Sequence, residues 1–168
     1  LRRNAQGTPF EITVTLKQGD TESQSMMDIY QQALERLGIT LTTEVLDSAQ
    51  YKERTQIYDF DMAYYRRGLS LSPGNEQMLY WGGDGVEQPG TRNWMGMNSP
   101  AAEAMIAKLV GSTSHEEFLA AVKALDRIVT AGRYVIPIHT SSFSRLAYVK
   151  EIKSPQRLPM YGDWIGFL

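Results

Sequence analysis

Two stretches of the chain hold the residue types best suited to gripping a small ligand. Tyr64-Tyr65-Arg66-Arg67 is followed by Ser70, Ser72 and Asn75, and Arg92-Asn93-Trp94 lies downstream of Trp81. Arg, Asn and Ser side chains hydrogen-bond amides and carboxylates, while Tyr and Trp add flat apolar walls. That is an inventory for holding a peptide, and it makes Tyr65, Arg67, Ser70, Ser72, Asn75, Trp81, Arg92, Asn93 and Trp94 the candidate ligand contacts. The same spacing fits a well-packed loop whose aromatics are simply core. Spacing alone leaves both arrangements open.

Catalytic chemistry is less well provided for. The chain has no cysteine, which excludes a thiol nucleophile, a disulfide framework and thiolate metal sites. His115 and His139 are the only histidines. The first is expected in the solvated first turn of a helix and the second at a partly buried strand position, too few ligands for a His-based metal site. Asp59-Phe60-Asp61 places two carboxylates on one face of a strand, where like charges shift a pKa. Carboxylates are also common in turns such as the one expected there. A hydrolase or transferase built on Asp59, Asp61 or His139 needs a strongly shifted pKa inside a cleft. Gly82-Gly83-Asp84-Gly85 lacks the Lys-Ser/Thr and the strand-before, helix-after context of a phosphate loop and is read as a turn. No serine sits in a G-x-S-x-G elbow. No catalytic residue, metal or cofactor is expected.

These residues must be positioned by regular elements. In Phe10 to Lys17, Ile12, Val14 and Leu16 alternate with polar residues, the period of a strand. Gly19-Asp20-Thr21 interrupts it, and Met26, Tyr30, Ala33, Leu34 and Leu37 then share one face of a helix from Glu22 to Leu37, stopped by Gly38. A β-branched strand, Ile39 to Leu46, follows, and Asp47 or Ser48 caps a helix to about Tyr58. Phe60 to Tyr65 is a third, short strand. This order predicts an α/β fold with a mostly parallel sheet, flanked by helices on right-handed crossovers.

From Arg66 to Asn98 the chain is loop-rich and aromatic, too aromatic for disorder, and it leaves the third strand at the carboxyl end, where ligands collect on open α/β sheets. Ser99-Pro100 opens a helix to about Val110, with Met105, Ile106 and Leu109 inward. Ser114-His115-Glu116-Glu117 is a capping box before a helix whose core face is Phe118, Val122, Leu125 and Val129, ending at Gly132. Tyr134 to His139 and Ser144 to Val149 are expected as strands.

The 168 residues suffice for one domain with its own core. A formal charge of -2 gives no electrostatic argument for nucleic acid or an anionic membrane. No apolar run approaches the roughly 20 residues of a spanning helix. The chain starts Leu1-Arg2-Arg3-Asn4 and reads as the middle of something longer, so the absence of a visible signal peptide is uninformative.

The order of motifs resembles the C-terminal part of the extracellular solute-binding proteins of family 5, which serve peptide and nickel ABC importers. The resemblance is carried by Leu37-Gly38-Ile39, Asp47 to Arg54, Asp59-Phe60-Asp61-Met62, Asn98-Ser99-Pro100 with the Met105-Ile106 helix, Ala124-Leu125-Asp126-Arg127 and Tyr134-Val135-Ile136-Pro137. Ser70 to Gln77 and Gly90-Thr91-Arg92-Asn93 are similar to the branch that takes up oligopeptides and the peptide-nucleotide microcin C. The resemblance implies one lobe of a two-lobed type II periplasmic binding protein, with residues 1–140 forming most of the second lobe and 141–168 returning through a hinge toward the first. It further implies a periplasmic carrier of oligopeptides or peptide conjugates that delivers to membrane permease subunits and is not an enzyme. A ligand-sensing or hydrolytic domain of the same fold is the alternative. One departure stands out. Many oligopeptide binders of the family hold the peptide amino terminus with an acidic residue before the proline of the Ser70-like segment. Residues Arg66 to Ser72 contain none, and Arg66 or Arg67 suits a carboxylate or phosphate instead.

Overall fold

Alternating β-branched residues over Glu11–Lys17 form strand β1, the centre of a three-stranded sheet in the computed structural model. The structure describes residues 1–68, 72–140, 147–151, 153 and 157. It comprises two compact units, Leu1–Arg67 with Met78–Pro100 and Gly68–Gln77 with Ala101–Leu168.

The first unit follows the expected order: β1, helix α1 (Thr21–Glu35), β2 (Thr40–Leu46), α2 (Ser48–Gln56) and β3 (Met62–Ala63). Both neighbours of β1 run parallel to it, Val14 lying opposite Thr43 on β2 and Met62 on β3. Val14, Thr15 and Leu16 are consecutively buried, the mark of a strand covered on both faces rather than of the simple alternation expected. Val14, Leu16, Met27, Leu34, Ile39 and Leu41 make the core, with Met26, Tyr30, Met62 and Tyr64 packed against it.

Asp20 caps α1, its carboxylate accepting from the Ser23 hydroxyl at 2.5 Å and the Ser23 amide at 3.1 Å. Those bonds, hydroxyl first, hold the Asp20 carboxyl below its ordinary value. The helix ends two residues earlier than expected, so Leu37 falls in the following turn and is 55% exposed. Gly38 closes that turn at φ +74, a conformation side chains rarely adopt. A Cβ there would lie 2.9 Å from the Arg2 amide nitrogen, which donates to the Gly38 carbonyl. Asp47 caps α2 through the amides of Ala49 and Gln50.

β3 is shorter than the Phe60–Tyr65 strand expected. Only Met62 and Ala63 pair with β1, and the Tyr64 amide adds one bond to the Thr15 carbonyl. The loop-rich segment beyond it contains a two-turn helix, α3 (Glu76–Trp81), and a 3-10 turn (Gly83–Gly85) that periodicity could not reveal. Both are shorter than the window that separates a helical from a random pattern.

The second unit carries α4 (Pro100–Val110), whose helix begins in the first unit at Pro100, and α5 (His115–Gly132). Ala102, Ile106 and Leu109 are buried on α4, and Ala121 and Leu125 on α5, where Phe118, Val122 and Val129 are half-buried. The Ser114 hydroxyl accepts from the Glu117 amide as expected. The Glu117 carboxylate reaches back to the Thr113 amide and hydroxyl, and these bonds hold its carboxyl below its usual value. Tyr134 to His139 is not a strand: Val135, Ile136, Ile138 and His139 are exposed in irregular chain. Among the described residues no strand pairs with this segment, and a strand exists only through its partner. Of the second strand expected there, residues 144–146 lie outside the described residues and Ala147–Val149 is irregular. Among the described residues no helix is long and apolar enough to cross a membrane.

Leu16 is 1% exposed at the centre of the core. Leu16→Ala is expected to cost about 2–5 kcal/mol in denaturant unfolding, whereas Leu37→Ala should stay within about 0.5 kcal/mol. The reverse order would mean that α1 extends through Leu37.

Candidate functional site

Tyr65 and Arg67, just beyond the short β3 ladder, form one side of an aromatic and cationic cluster. Trp94 is its hub, with ring centres of Tyr65 at 4.7 Å, Phe60 at 6.0 Å and Tyr51 at 6.5 Å. The tilted and edge-on geometries are those aromatic pairs prefer. The Tyr51 hydroxyl donates to the Tyr64 carbonyl at 2.6 Å, fixing α2 to the chain leaving β3. Burial pushes the Tyr51 phenol up to about 12.

Beside this stack, the Arg67 guanidinium carbon sits 3.2 Å from the ring centre of Tyr80 and 5.8 Å from that of Trp81. Arg92 approaches the same Tyr80 ring, at 5.6 Å, and its Nη1 donates to the Tyr80 hydroxyl at 3.0 Å. Burial opposes ionisation of Tyr80, yet the Arg92 hydrogen bond and the two guanidinium charges hold its phenol below the ordinary tyrosine value. Tyr65 is shifted the other way, by burial first and then by the neighbouring Tyr80, to which it is hydrogen-bonded. Tyr65 thus joins the stack around Trp94 to the cationic group around Tyr80.

The loop that presents Arg92 and Trp94 is held from beneath. Asn93 is 1% exposed; its Nδ2 donates to the Gly82 carbonyl at 2.9 Å and the Met97 carbonyl at 2.8 Å, and its Oδ1 accepts from the Met97 amide at 2.9 Å. Expected as a ligand contact, Asn93 instead commits its amide to the loop's own backbone, with Arg92 exposed and Trp94 half-buried on either side. The Tyr58 hydroxyl reaches the Gly85 and Gln88 carbonyls and the Thr91 hydroxyl, while Thr91 donates to the Gly85 carbonyl at 3.0 Å. Gly85 has no room for a side chain: a Cβ would meet Thr91 Oγ1 at 2.8 Å and the Asn93 Cβ at 2.9 Å. Tyr58 has φ 60, rare for an aromatic residue, and its hydrogen bonds hold it there.

The structure thus gathers Tyr65, Arg67, Trp81, Arg92 and Trp94 in one unit, above Asn93. Ser72 and Asn75 are exposed in the other unit, and Ser70 lies outside the described residues. Tyr80 and Tyr58 were not among the candidates. Tyr80 could have been found from its aromatic character inside the loop, while Tyr58 carries no such signal because its role depends on partners some thirty residues away. Arg66, adjacent to Arg67, is turned to α1, pairing with Glu22 at 2.5 Å and lying 3.8 Å from Asp20.

The carboxylates considered for catalysis make structural contacts. Asp59 pairs with Arg54 Nε at 3.0 Å, and Asp61 accepts from the Thr13 amide at 2.9 Å. Arg54 also binds Glu44 at 2.6 Å. Among the described residues no group of three His, Asp or Glu side chains could hold a metal ion.

Residues 2–88 match the model of the bacterial extracellular solute-binding proteins, family 5 middle. A probable peptide-binding protein, YejA, of Agrobacterium fabrum is 36% identical over 138 residues, 82% of this chain and 22% of that protein. A putative binding protein of Brucella melitensis is 36% identical over 156 residues, 93% of this chain and 25% of its own length. The chain spans about a quarter of the length of these relatives. The fold superposes on the oligopeptide-binding protein AppA of Bacillus subtilis, solved with a nonapeptide, with TM-score 0.69 over 78% of this chain and 26% of that one, at 15% identity.

Asn93→Ala should destabilise the ligand-free protein by about 2–4 kcal/mol, because the buried Met97 amide and carbonyl lose the Asn93 partner and the Gly82 carbonyl keeps only the Gly85 amide. A change below about 0.5 kcal/mol in denaturant unfolding would remove Asn93 from its supporting role. The raised Tyr51 phenol predicts a second effect. A folded value of about 12 against an ordinary value of 10.0 gives stability that is complete below pH 10 and lost as the pH rises toward 12. Melting temperatures across that window should fall less steeply for Tyr51→Phe than for the parent protein.

Proposed function

The chain belongs to the bacterial extracellular solute-binding proteins of family 5, and on that footing we propose that it forms part of the ligand-closing lobe of an ABC importer's binding component. The ligands are oligopeptides or peptide conjugates, taken in the periplasm and handed to the membrane permease. The reading is of a carrier, not an enzyme. The observation that carries it is the wall made by Tyr65, Trp94, Tyr80, Arg67 and Arg92, raised on rigid supports beyond the carboxyl end of β3. Such a wall combines flat apolar surface with fixed donors, the pairing a peptide's side chains and carbonyls need. A similar protein is a probable peptide-binding protein and one of like fold was solved with a nonapeptide, which supports the same ligand class.

Capture works by closure. Ligand contacts made only when two lobes meet stabilise the closed form by their differential affinity. Backbone groups of a peptide find fixed partners on the wall, and its side chains lie in hydrated space, since bridging waters are nearly as good as direct bonds.

The full-length protein, stripped of ligand by unfolding and refolding, tests this. A tight peptide at a hundredfold excess over its Kd stabilises the folded state by about 2.7 kcal/mol. Melting temperatures should therefore rise with several unrelated peptides and rise less in Trp94→Ala. A shift with a sugar or a metal chelate and none with any peptide would overturn the substrate class.

A further inference from the structure

The residue that follows the end of α2 is a tyrosine where the backbone asks for glycine. The Asp59 amide donates to the Arg54 carbonyl at 2.9 Å, a closure that puts the residue before Asp59 in the left-handed region. Tyr58 stands there at φ 60. We propose that Tyr58 is a positioning residue for ligand binding: its hydroxyl sets the loop that carries Arg92 and Trp94, and so governs affinity through the loop and not by contact. The proposal rests on the peptide-carrier reading and adds a determinant of affinity outside the wall.

The hydroxyl is what glycine could not supply. It lies 3.1 Å from the Gly85 carbonyl and 3.0 Å from the Gln88 carbonyl, and it bonds the Thr91 hydroxyl. These partners stand 27 to 33 residues further along the chain, so the bonds serve the loop and not the helix. The helix end is closed by its own backbone, where the Ile57 amide also donates to the Glu53 carbonyl at 3.2 Å.

From Thr91 the route to the wall is short. The Thr91 hydroxyl donates to the Gly85 carbonyl at 3.0 Å, and its oxygen accepts from the Asn93 amide at 3.4 Å. Arg92 and Trp94 are the two neighbours of Asn93 in the chain. Gly85 is buried so close to Thr91 and Asn93 that no Cβ fits, which leaves the stretch little freedom while these bonds hold. The Gly90 amide donates to the Gln56 carbonyl at 2.8 Å, a backbone tie that survives removal of the hydroxyl. Loss of the hydroxyl therefore loosens the loop without unfolding the protein. A loosened loop holds the binding-competent arrangement only part of the time, and apparent affinity falls by that fraction.

Calorimetric titration of the full-length protein tests this, using the synthetic peptide that raises the wild-type melting temperature most. Tyr58→Phe keeps the ring and loses the hydroxyl, and its affinity should fall about 3- to 10-fold, the range of one net hydrogen bond. Tyr58→Gly suits the backbone better but has no hydroxyl, and it should lose at least as much. A residue that served only to end the helix would be replaced by glycine at no loss of affinity. Ile57→Ala, at the exposed neighbour, should bind as wild type does. Hydrogen exchange supplies a second readout. In ligand-free Tyr58→Phe the Gly90 and Met97 amides should exchange faster while those of β1 hold, and saturating peptide should restore their protection. Wild-type affinity in Tyr58→Phe, or exchange quickened equally throughout β1, overturns the positioning role and leaves a peptide carrier in place. Failure of the wild-type protein to bind any peptide overturns the carrier reading and this role with it.

Discussion

The Asn93 carboxamide satisfies three backbone groups in a place that no strand or helix reaches. Irregular chain can be buried only if its N–H and C=O groups find partners, since each orphan costs about 1–3 kcal/mol. Here a side chain does what a ladder does elsewhere. The result is a loop stiff enough to hold Arg92 and Trp94 at set positions over the end of the sheet. Tyr58 ties the same loop to the end of α2, and the Gly90 amide donates to the Gln56 carbonyl beside it. The wall's precision comes from polar bonds beneath it, while its breadth comes from the rings above.

The same division explains what could be read from the residues in order. β1, α1, β2 and α2 were legible because their signals are local: alternation in Glu11–Lys17, a cap before α2, a glycine after α1. The Ser114 box was legible for the same reason. The inward face of α1 was read with Leu34, Met26 and Tyr30 in place but without Met27, which the core takes as well because the buried stripe is wider than one row of side chains. The strand expected over Tyr134 to His139 shows the opposite limit. Ile-Pro-Ile has strand composition, but composition supplies no partner.

At the site, residue type singled out Tyr65, Arg67, Trp81, Arg92 and Trp94, which the fold gathers in one unit. Type could not separate Arg66 from its neighbour Arg67. That separation is made by the first turn of α1, where Asp20 and Glu22 wait for a cation. Nor could it tell that Asn93 faces inward, since an Asn in a loop serves equally well as a ligand contact or as a backbone staple. What sorted both was the position of distant chain.

The pairing of β3 with β1 has a consequence for how the protein comes into being. Asp61 reaches the Thr13 amide across 48 residues of chain, and among the described residues β3 has only β1 to lie against. Parallel pairing over such separations is among the slower events of folding, because chain entropy is lost before contacts are gained. The aromatic and cationic wall hangs from that third strand, the shortest of the sheet. A nascent chain that has emerged only as far as Asp59 holds both longer strands and both of their helices, yet it has nothing with which to grip a ligand. The wall therefore needs both ends of its unit, the early strands that make the sheet and the later loop that carries Arg92 and Trp94.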